Sequence, residues 1–420
     1  MDFSEFILAH DSDDVARLLL SRGRWPDVDV ALAADTILSR RKLRSKVPGW
    51  YSIPALRLPS PLSAEQCSSE ETARYKAGVA GRILLECTGK AASGCCIADL
   101  TGGLGVDSQA FSMVAGKVIY NEMDPALADA AGHNFPMLGM DNVRVCCTEL
   151  SAGTLGTILG DDVPDILFLD PARRSGTGRK VFLLEDCSPD VVSMQDELLG
   201  ACRHILLKVS PMADITMLVS RLAHVREVHV VAAGGECKEL LLWMDREWTG
   251  EYGLVLYDSG YVMRVEGPVP ETVFLGGPSD LLSCEGGSLF VPGKALSKAG
   301  VSDLACARGG FSKLGRSTGL YVAPPDAVLG GDPLMKRFGK VFRIVRILPL
   351  NRKGMKEAAS RWPHCSVSAR NLPLDTAALR SRLGVSEGEQ ARIFGGKTDF
   401  RTSKSEGFLI VTEWDVRNND

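Results

Sequence analysis

The sequence predicts an α/β protein: a mainly parallel, seven-stranded sheet whose last strand is reversed, with a helical region before it and smaller α+β units after it. Three observations predict it. From Cys95 onward, short apolar runs alternate with helical segments, the pattern of a parallel sheet with helices on both faces. The last two runs, at 228–232 and 239–244, are separated only by residues 233–238. That is too short for a crossover helix, so the final pair must be antiparallel. Finally, 420 residues exceed one ordinary core and call for two to four domains.

Residues 1 to about 88 read as helices. The segment 28–46 has helical spacing and ends in Arg40, Arg41, Lys42, Arg44 and Lys46. Such a basic end either complements the negative pole of the helix dipole or meets phosphate. Ser68-Ser69-Glu70-Glu71 has the form of a capping box that opens a helix through Arg74, Tyr75 and Lys76. The first five strands fall at 95–100, 117–121, 143–147, 166–169 and 204–209, and a hairpin at 253–257 and 261–265 closes the sheet domain. A small mixed unit occupies 288–330. From Gly339 the pattern is strand, helix (352–361), strand (365–369), helix (376–383) and two strands (391–394, 408–413). The expected division is 1–88 helical, 89–267 sheet domain, 268–333 small ferredoxin-like α+β domain and 334–420 basic domain.

The net charge of −4 hides an asymmetry. Between Lys336 and Glu406 there are 16 Lys and Arg against 6 Asp and Glu, a balance of +10, which leaves 32 against 46, or −14, elsewhere. A basic unit on an acidic body points to nucleic acid, the alternative being a solvated basic surface. No apolar run approaches the ~20 residues of a membrane helix, and Met1-Asp2-Phe3-Ser4-Glu5 lacks the start of a secretory signal, so a cytoplasmic location is expected. The 12 cysteines include no Cys-x-x-Cys and several lie in strand-like runs (Cys95, Cys96, Cys146, Cys147), which suits reduced core thiols. The 6 histidines are scattered, and no metal site is expected.

Chemistry concentrates at strand ends. The first strand runs into Asp99-Leu100-Thr101-Gly102-Gly103-Leu104-Gly105-Val106-Asp107, a glycine-rich turn in which backbone N–H groups and a close approach suit a nucleotide-like ligand. Ser108 stands where a third dinucleotide-fingerprint glycine would be, which weakens a nicotinamide or flavin reading. The second strand ends Asn121-Glu122-Met123-Asp124-Pro125, where Glu122 can accept both ribose hydroxyls of an adenosyl ligand. Asp124-Pro125 suits a helix N-cap and first turn. Thr148-Glu149 either meets the adenine edge or forms a surface turn.

The fourth strand ends Asp170-Pro171-Ala172-Arg173-Arg174, followed by a loop carrying Arg179 and Lys180. Asp170 faces the transfer site or, alternatively, forms a turn before proline; an attacking amine needs orientation and a proton acceptor, which a carboxylate supplies. Arg173, Arg174, Arg179 and Lys180 suit a substrate phosphate or simply solvate the loop. Lys208, ending the fifth strand, pairs with Asp170, with phosphate or in a structural ion pair. No cysteine adjoins Pro171 or Pro211, so a thiolate mechanism for a pyrimidine carbon lacks its nucleophile there, and a nitrogen or oxygen target is expected. Glycine turn, Glu122, reversed strand and Asp170-Pro171 together narrow the ligand to S-adenosylmethionine.

Through nearly its whole length the chain resembles bacterial class I methyltransferases that carry a THUMP-like domain at the C-terminus. The likeness rests on Asp-Leu-Thr-Gly-Gly-Leu-Gly-Val-Asp at 99–107, Asp-Pro-Ala-Arg-Arg at 170–174, Lys-Val-Ser-Pro-Met at 208–212 and Glu-Cys-Lys-Glu-Leu at 236–240. The core is also similar to trimethylguanosine synthase. The resemblance implies a Rossmann-like fold, S-adenosylmethionine held by Asp99, Gly102, Gly103 and Glu122, and a lid helix around Ser68, Ser69 and Thr72; Thr101, Gly105, Asp107, Met123 and Glu149, in the same turn and at the strand ends, are further cofactor-binding candidates. It implies Asp170 and Pro171 at the transfer site and a C-terminal unit that binds structured RNA such as transfer or ribosomal RNA; Lys208 is a further catalytic candidate, and Arg343, Arg346, Arg352, Lys353 and Arg370 are the candidate RNA contacts of the basic unit. In one respect the sequence departs: nucleic-acid amine methylases usually carry an aromatic residue where Arg173 stands, and a guanidinium can take over its stacking on a base. The expected activity is methylation of a base nitrogen in RNA; the alternatives are a protein or small-molecule methyltransferase and a non-catalytic RNA-binding protein.

Overall fold

Strands that are apolar throughout need neighbours on both edges and cover on both faces. In the computed structural model, which describes residues 1–173, 183–267, 271–327, 333–398 and 406–414, β1 (Cys96–Asp99) is buried at all four positions and lies between β2 (Lys117–Asn121) and β4 (Ile166–Leu169), parallel to both. With β3 (Val143–Cys146), β5 (His204–Val209), β6 (Val225–Ala233) and β7 (Glu236–Asp245) the order is β3-β2-β1-β4-β5-β7-β6. β2 and β3 are parallel, as are β4 and β5, whereas β7 runs antiparallel to β5 with Leu241 opposite Lys208. The expected reversed strand is present. It is inserted between β5 and β6.

Two N-terminal helices join this sheet's core. α1 (Val30–Lys46) is followed by Val47, Trp50, Leu56 and Leu58, which pack in one apolar cluster with Leu104, Val106 and Leu127. α2 (Glu70–Cys87) starts where the Ser69 hydroxyl accepts the Thr72 N–H, and its Ala77, Ala80, Ile83 and Leu84 pack on Ile97, Phe168, Leu206 and Trp243. Four of the five cations at the basic end of α1 are engaged by the chain itself, while Arg44 stays exposed beside the Tyr51 ring. Arg40 donates to the Ile53 carbonyl, Arg41 to those of Asp11 and Asp13, Lys42 to the Glu65 carboxylate and Lys46 to the Glu65 carbonyl.

Compaction divides the chain into two units where the sequence suggested four. The first comprises Met1–Ala233 with Lys238–Val255, and the second Gly234–Cys237 with Leu256–Asp420. The shared apolar cluster explains why the N-terminal helices do not stand alone. The hairpin expected at 253–265 forms as β8 (Gly253–Asp258) and β9 (Tyr261–Val265) and extends the sheet beyond β6, so that it has nine strands where seven were expected; the division between units passes through β8.

In the second unit β10 (Ser288–Pro292), β11 (Ser312–Lys313), β12 (Tyr321–Ala323), β13 (Gly339–Pro349), β14 (Ser366–Arg370), β15 (Arg392–Lys397) and β16 (Gly407–Thr412) form one sheet in the order β11-β12-β10-β13-β16-β15-β14. The long β13 pairs with β10 along its first half and with β16 along its second, so the segments 268–333 and 334–420 share a sheet. α3 (Arg352–Arg361) and α4 (Thr376–Leu383) lie where the sequence places them, and Leu379 and Leu383 pack with Val367, Ile393, Leu409 and Val411. Among the described residues no helix is long and apolar enough to cross a membrane.

Trp243 of β7 is wholly buried in the first unit's core. Trp243→Ala is expected to lower stability by about 3–5 kcal/mol, read as a fall in the urea midpoint of the first unit; an unchanged midpoint would show that this core does not hold the sheet together.

Candidate active site

The turn after β1 is shaped by close approaches. A Cβ on Gly102 would lie 2.1 Å from the Tyr120 ring, and one on Gly105, at φ +91°, would lie 2.6 Å from Phe135, so neither position tolerates a side chain. Gly103, at φ +53°, meets nothing within 4 Å and faces open space. Its N–H donates to Glu122 Oε2 at 2.8 Å, while Glu122 Oε1 accepts the Asp124 N–H at 2.9 Å. The carboxylate is thereby fixed at the end of β2. Beside it the Asn121 amide nitrogen bridges the carbonyls of Leu100 and Thr148, at 3.1 and 2.9 Å, and the buried Asn121 Oδ1 has no partner. Asp124 caps the next helix, with Pro125 in its first turn, as expected.

These residues line a cavity of about 240 Å³ walled by Thr101 to Asp107, Asn121 to Met123, Thr148 to Leu150, Asp170, Ala172, Ser188 and Pro189, and closed on one side by Ser63, Gln66, Cys67 and Ser68. The donor set fits an adenosyl ligand: a glycine turn open at Gly103, an anchored carboxylate for vicinal hydroxyls and an unsatisfied buried acceptor at Asn121. Of the expected cofactor residues, Thr101, Gly102, Gly103, Gly105, Asp107, Glu122, Met123 and Glu149 line the cavity. Asp99, Ser69 and Thr72 do not. Asp99 lies fully buried behind the turn, where its carboxyl accepts from Thr101 N and Ser108 Oγ, and Ser69 with Thr72 forms the cap of α2. These three hold the turn and the helix cap, while Ser63, Gln66, Cys67 and Ser68 reach the cavity from the segment before α2.

Under the cavity lies a network of charges. Lys76 of α2 is completely buried; its ammonium donates to Glu239 Oε1 at 2.6 Å and to Ser68 Oγ at 2.9 Å, and lies 3.2 Å from Asp107 Oδ1. The Ser68 hydroxyl in turn donates to Asp107 Oδ2 at 2.7 Å. Burial pushes the Glu239 carboxyl up, against the pull of Lys76 and Lys208. Sequence reasoning missed Lys76, Glu239, Asn121 and Cys67. Glu239 sits in the quoted motif at 236–240, and Lys76 reads as an ordinary helix cation until its burial is seen.

Asp170 lines the cavity, and its carboxylate accepts from Lys208 Nζ at 2.5 Å while its N–H donates to Thr101 Oγ1 at 2.6 Å. Lys208 therefore pairs with Asp170, one of the three roles left open for it. Burial alone would lower its pKa, but the carboxylates of Asp170, Glu239 and Asp107 outweigh this and raise it. Pro171 is buried outside the lining. Arg173 pairs through its backbone with Cys187, and Arg174, Arg179 and Lys180 lie outside the described residues. A thiol is in the cavity after all, because Cys67 lines it from the lid rather than from a strand end. Burial pushes that thiol up to about 11, so it is no ready nucleophile.

In the second unit Arg346 is held by Glu285 at 2.5 Å and Arg343 lies 3.8 Å from Glu413, whereas Arg352 and Lys353 are exposed in the first turn of α3 and Arg370 is half-buried on β14. Among the described residues no group of His, Cys, Asp and Glu could hold a metal ion.

A sheet in this order, with a glycine turn after β1 and an acidic residue ending β2, defines the class I methyltransferase fold. Residues 339–413 match the family model described as THUMP domain-like. A protein of Porphyromonas gingivalis W83 assigned to the methyltransferases superposes with a TM-score of 0.78 at 28% identity, over 98% of this chain and 97% of that one. A 16S rRNA N2 methyltransferase of Thermus thermophilus, in complex with AdoMet and guanosine, matches at 13% identity and a TM-score of 0.31 over 44% of each chain. An rRNA methylase of Streptococcus thermophilus matches at 9% and 0.29, over 42% of this chain and 95% of that one. These last two scores are too low to carry an inference. No curated protein matches. Sheet order and the first likeness give the chain the class I methyltransferase fold, and its residues 339–413 are THUMP-like.

Two consequences are testable. Removing one partner of a buried pair strands the other charge, so Lys76→Met is expected to cost about 3–5 kcal/mol, and Lys76→Met/Glu239→Leu to recover part of it in urea denaturation; equal costs for the single and double variants would show that no pair exists. Burial, opposed by Ser108 and Thr101 and reinforced by Asp107, pushes the Asp99 carboxyl from 3.8 up to about 8. The native state thus holds a proton that the unfolded chain has already released, so this contribution to stability is complete below about pH 3.8 and is lost as pH rises through about 8. Asp99→Asn should flatten the fall in Tm across that window, and an unaltered slope would contradict the burial argument.

Proposed function

We propose that this chain is a methyltransferase that uses S-adenosylmethionine to methylate a base nitrogen of structured RNA. The observation that carries the reading is the Asp170–Lys208 pair, set at the cavity wall and tied to the glycine turn through Thr101. S-adenosylmethionine supplies an electrophilic methyl group on sulfur. Glu122 and Asn121 offer the acceptors that ribose and adenine polar groups need, and Gly103 leaves room for them. Lys208 keeps its proton and fixes Asp170 Oδ2, which leaves the other carboxylate oxygen to accept a hydrogen bond from an incoming amine and aim its lone pair. The lid segment carrying Ser63, Gln66, Cys67 and Ser68 limits water at the methyl donor.

A nucleic-acid acceptor is supported by the THUMP-like match and by the +10 balance between Lys336 and Glu406. An extruded base suits the small cavity.

Calorimetric titration is expected to show S-adenosylmethionine binding to the full chain and to Asp170→Ala within about threefold, while Asp170→Ala loses at least ~100-fold in methyl transfer to RNA from cells lacking the protein. Transfer by the variant at the native rate would remove Asp170 from the site. If RNA from such cells accepted no methyl group from the native protein, the RNA reading would fall.

A further inference from the structure

The basic character of the second unit is unevenly neutralised. Arg346 is paired with Glu285 and Glu357, Arg343 with Glu413, Arg361 with Glu357 and Arg380 with Glu387. Among the cations with no carboxylate partner, three come together in one place. Lys340 of β13, Arg370 of β14 and Arg392 of β15 line one groove with Ser366, Ser368 and the buried ring of Phe342, and none of the three has a carboxylate within 4.0 Å among the described residues. Strands β14 and β15 pair side by side, with Ser366 opposite Arg392 and Arg370 opposite Gly396.

Alternation along β14 fixes the face. Val367 packs into the cluster under α3 and α4, so Ser366, Ser368 and Arg370 point away from those helices. On that face Arg370 is half-buried, its Nε is enclosed with no partner, and burial lowers its pKa with no counter-charge in opposition. Arg392 is oriented by the Trp414 carbonyl at 3.3 Å and lies over the Trp414 ring at 4.3 Å. A guanidinium buried without an anion is destabilising unless something outside the fold completes it. Converging cations beside two hydroxyls fit the non-bridging oxygens of a phosphodiester.

We infer that this groove, on the sheet face turned away from α3 and α4, holds the sugar-phosphate backbone of the RNA substrate through Lys340, Arg370 and Arg392, with Ser366 and Ser368 as hydroxyl donors. The inference rests on the RNA reading above and moves the contact surface. Of the basic residues expected from sequence only Arg370 lies in the groove, whereas Arg343 and Arg346 are occupied by carboxylates and Arg352 and Lys353 sit on α3.

The test is fluorescence anisotropy of a labelled tRNA transcript titrated with the full chain over a range of KCl concentrations. Lys340→Ala/Arg370→Ala/Arg392→Ala is expected to weaken binding about 30-fold or more near 0.1 M salt and to make the slope of log K against log salt shallower by about two to three. Arg352→Ala/Lys353→Ala, on the helix, should change affinity less than about threefold. Arg370→Met alone should leave Tm unchanged or raised, which separates loss of binding from loss of fold. Native affinity in the triple variant, with RNA still bound, would overturn the groove and leave the RNA reading standing. No binding by the native protein would overturn both. Displacement of RNA by inorganic phosphate beyond a chloride control of equal ionic strength would mark a free-anion site and overturn the assignment to RNA backbone.

Discussion

A fully buried ammonium survives only where carboxylates meet it, and Lys76 has two within 3.2 Å. The constraint reaches further than one pair. Glu239 comes from β7, Asp107 from the end of the glycine turn, and Ser68 from the segment before α2, so a single lysine on α2 ties together three segments, the farthest of them 163 residues along the chain from it. α2 is anchored independently by its apolar face on Ile97, Phe168 and Trp243, which sets where its lysine meets these partners. The glycine turn then needs only local sterics, from Tyr120 and Phe135, to take its path.

The fold was largely legible because its signals are local and periodic. The alternation of strands and helices, and the six-residue gap that forces the last two strands to be antiparallel, needed no tertiary information. The same holds for α3 and α4, whose ends fall where the sequence places them. What could not be read was sharing. Residues 1–88 look like a separate helical region until Trp50 and Leu58 are seen to pack with Leu104 and Val106, and the boundary at 333 dissolves because β13 pairs on both edges.

The site divides in the same way. Gly102, Gly103, Glu122 and Asp170 stand at strand ends, where topology alone places them round one cavity. Asp99, equally close in sequence, turns into the core instead, because a strand's side chains alternate and the turn consumes its carboxyl. Lys76, Glu239 and the lid thiol Cys67 arrive from helices and from the reversed strand, and only packing brings them there. In the second unit, charge counting located the basic region correctly but could not tell cations already paired with carboxylates from those left over.

The central claim is that the cavity between the glycine turn, Glu122 and the lid is where S-adenosylmethionine binds. Ultraviolet crosslinking of methyl-labelled S-adenosylmethionine to the full chain, followed by peptide mapping, tests it most directly. The account predicts label on peptides containing residues 63–68, 101–107, 121–123 or 148–150, abolished by excess S-adenosylhomocysteine. Label confined to other peptides, or label that the competitor leaves in place, would contradict it.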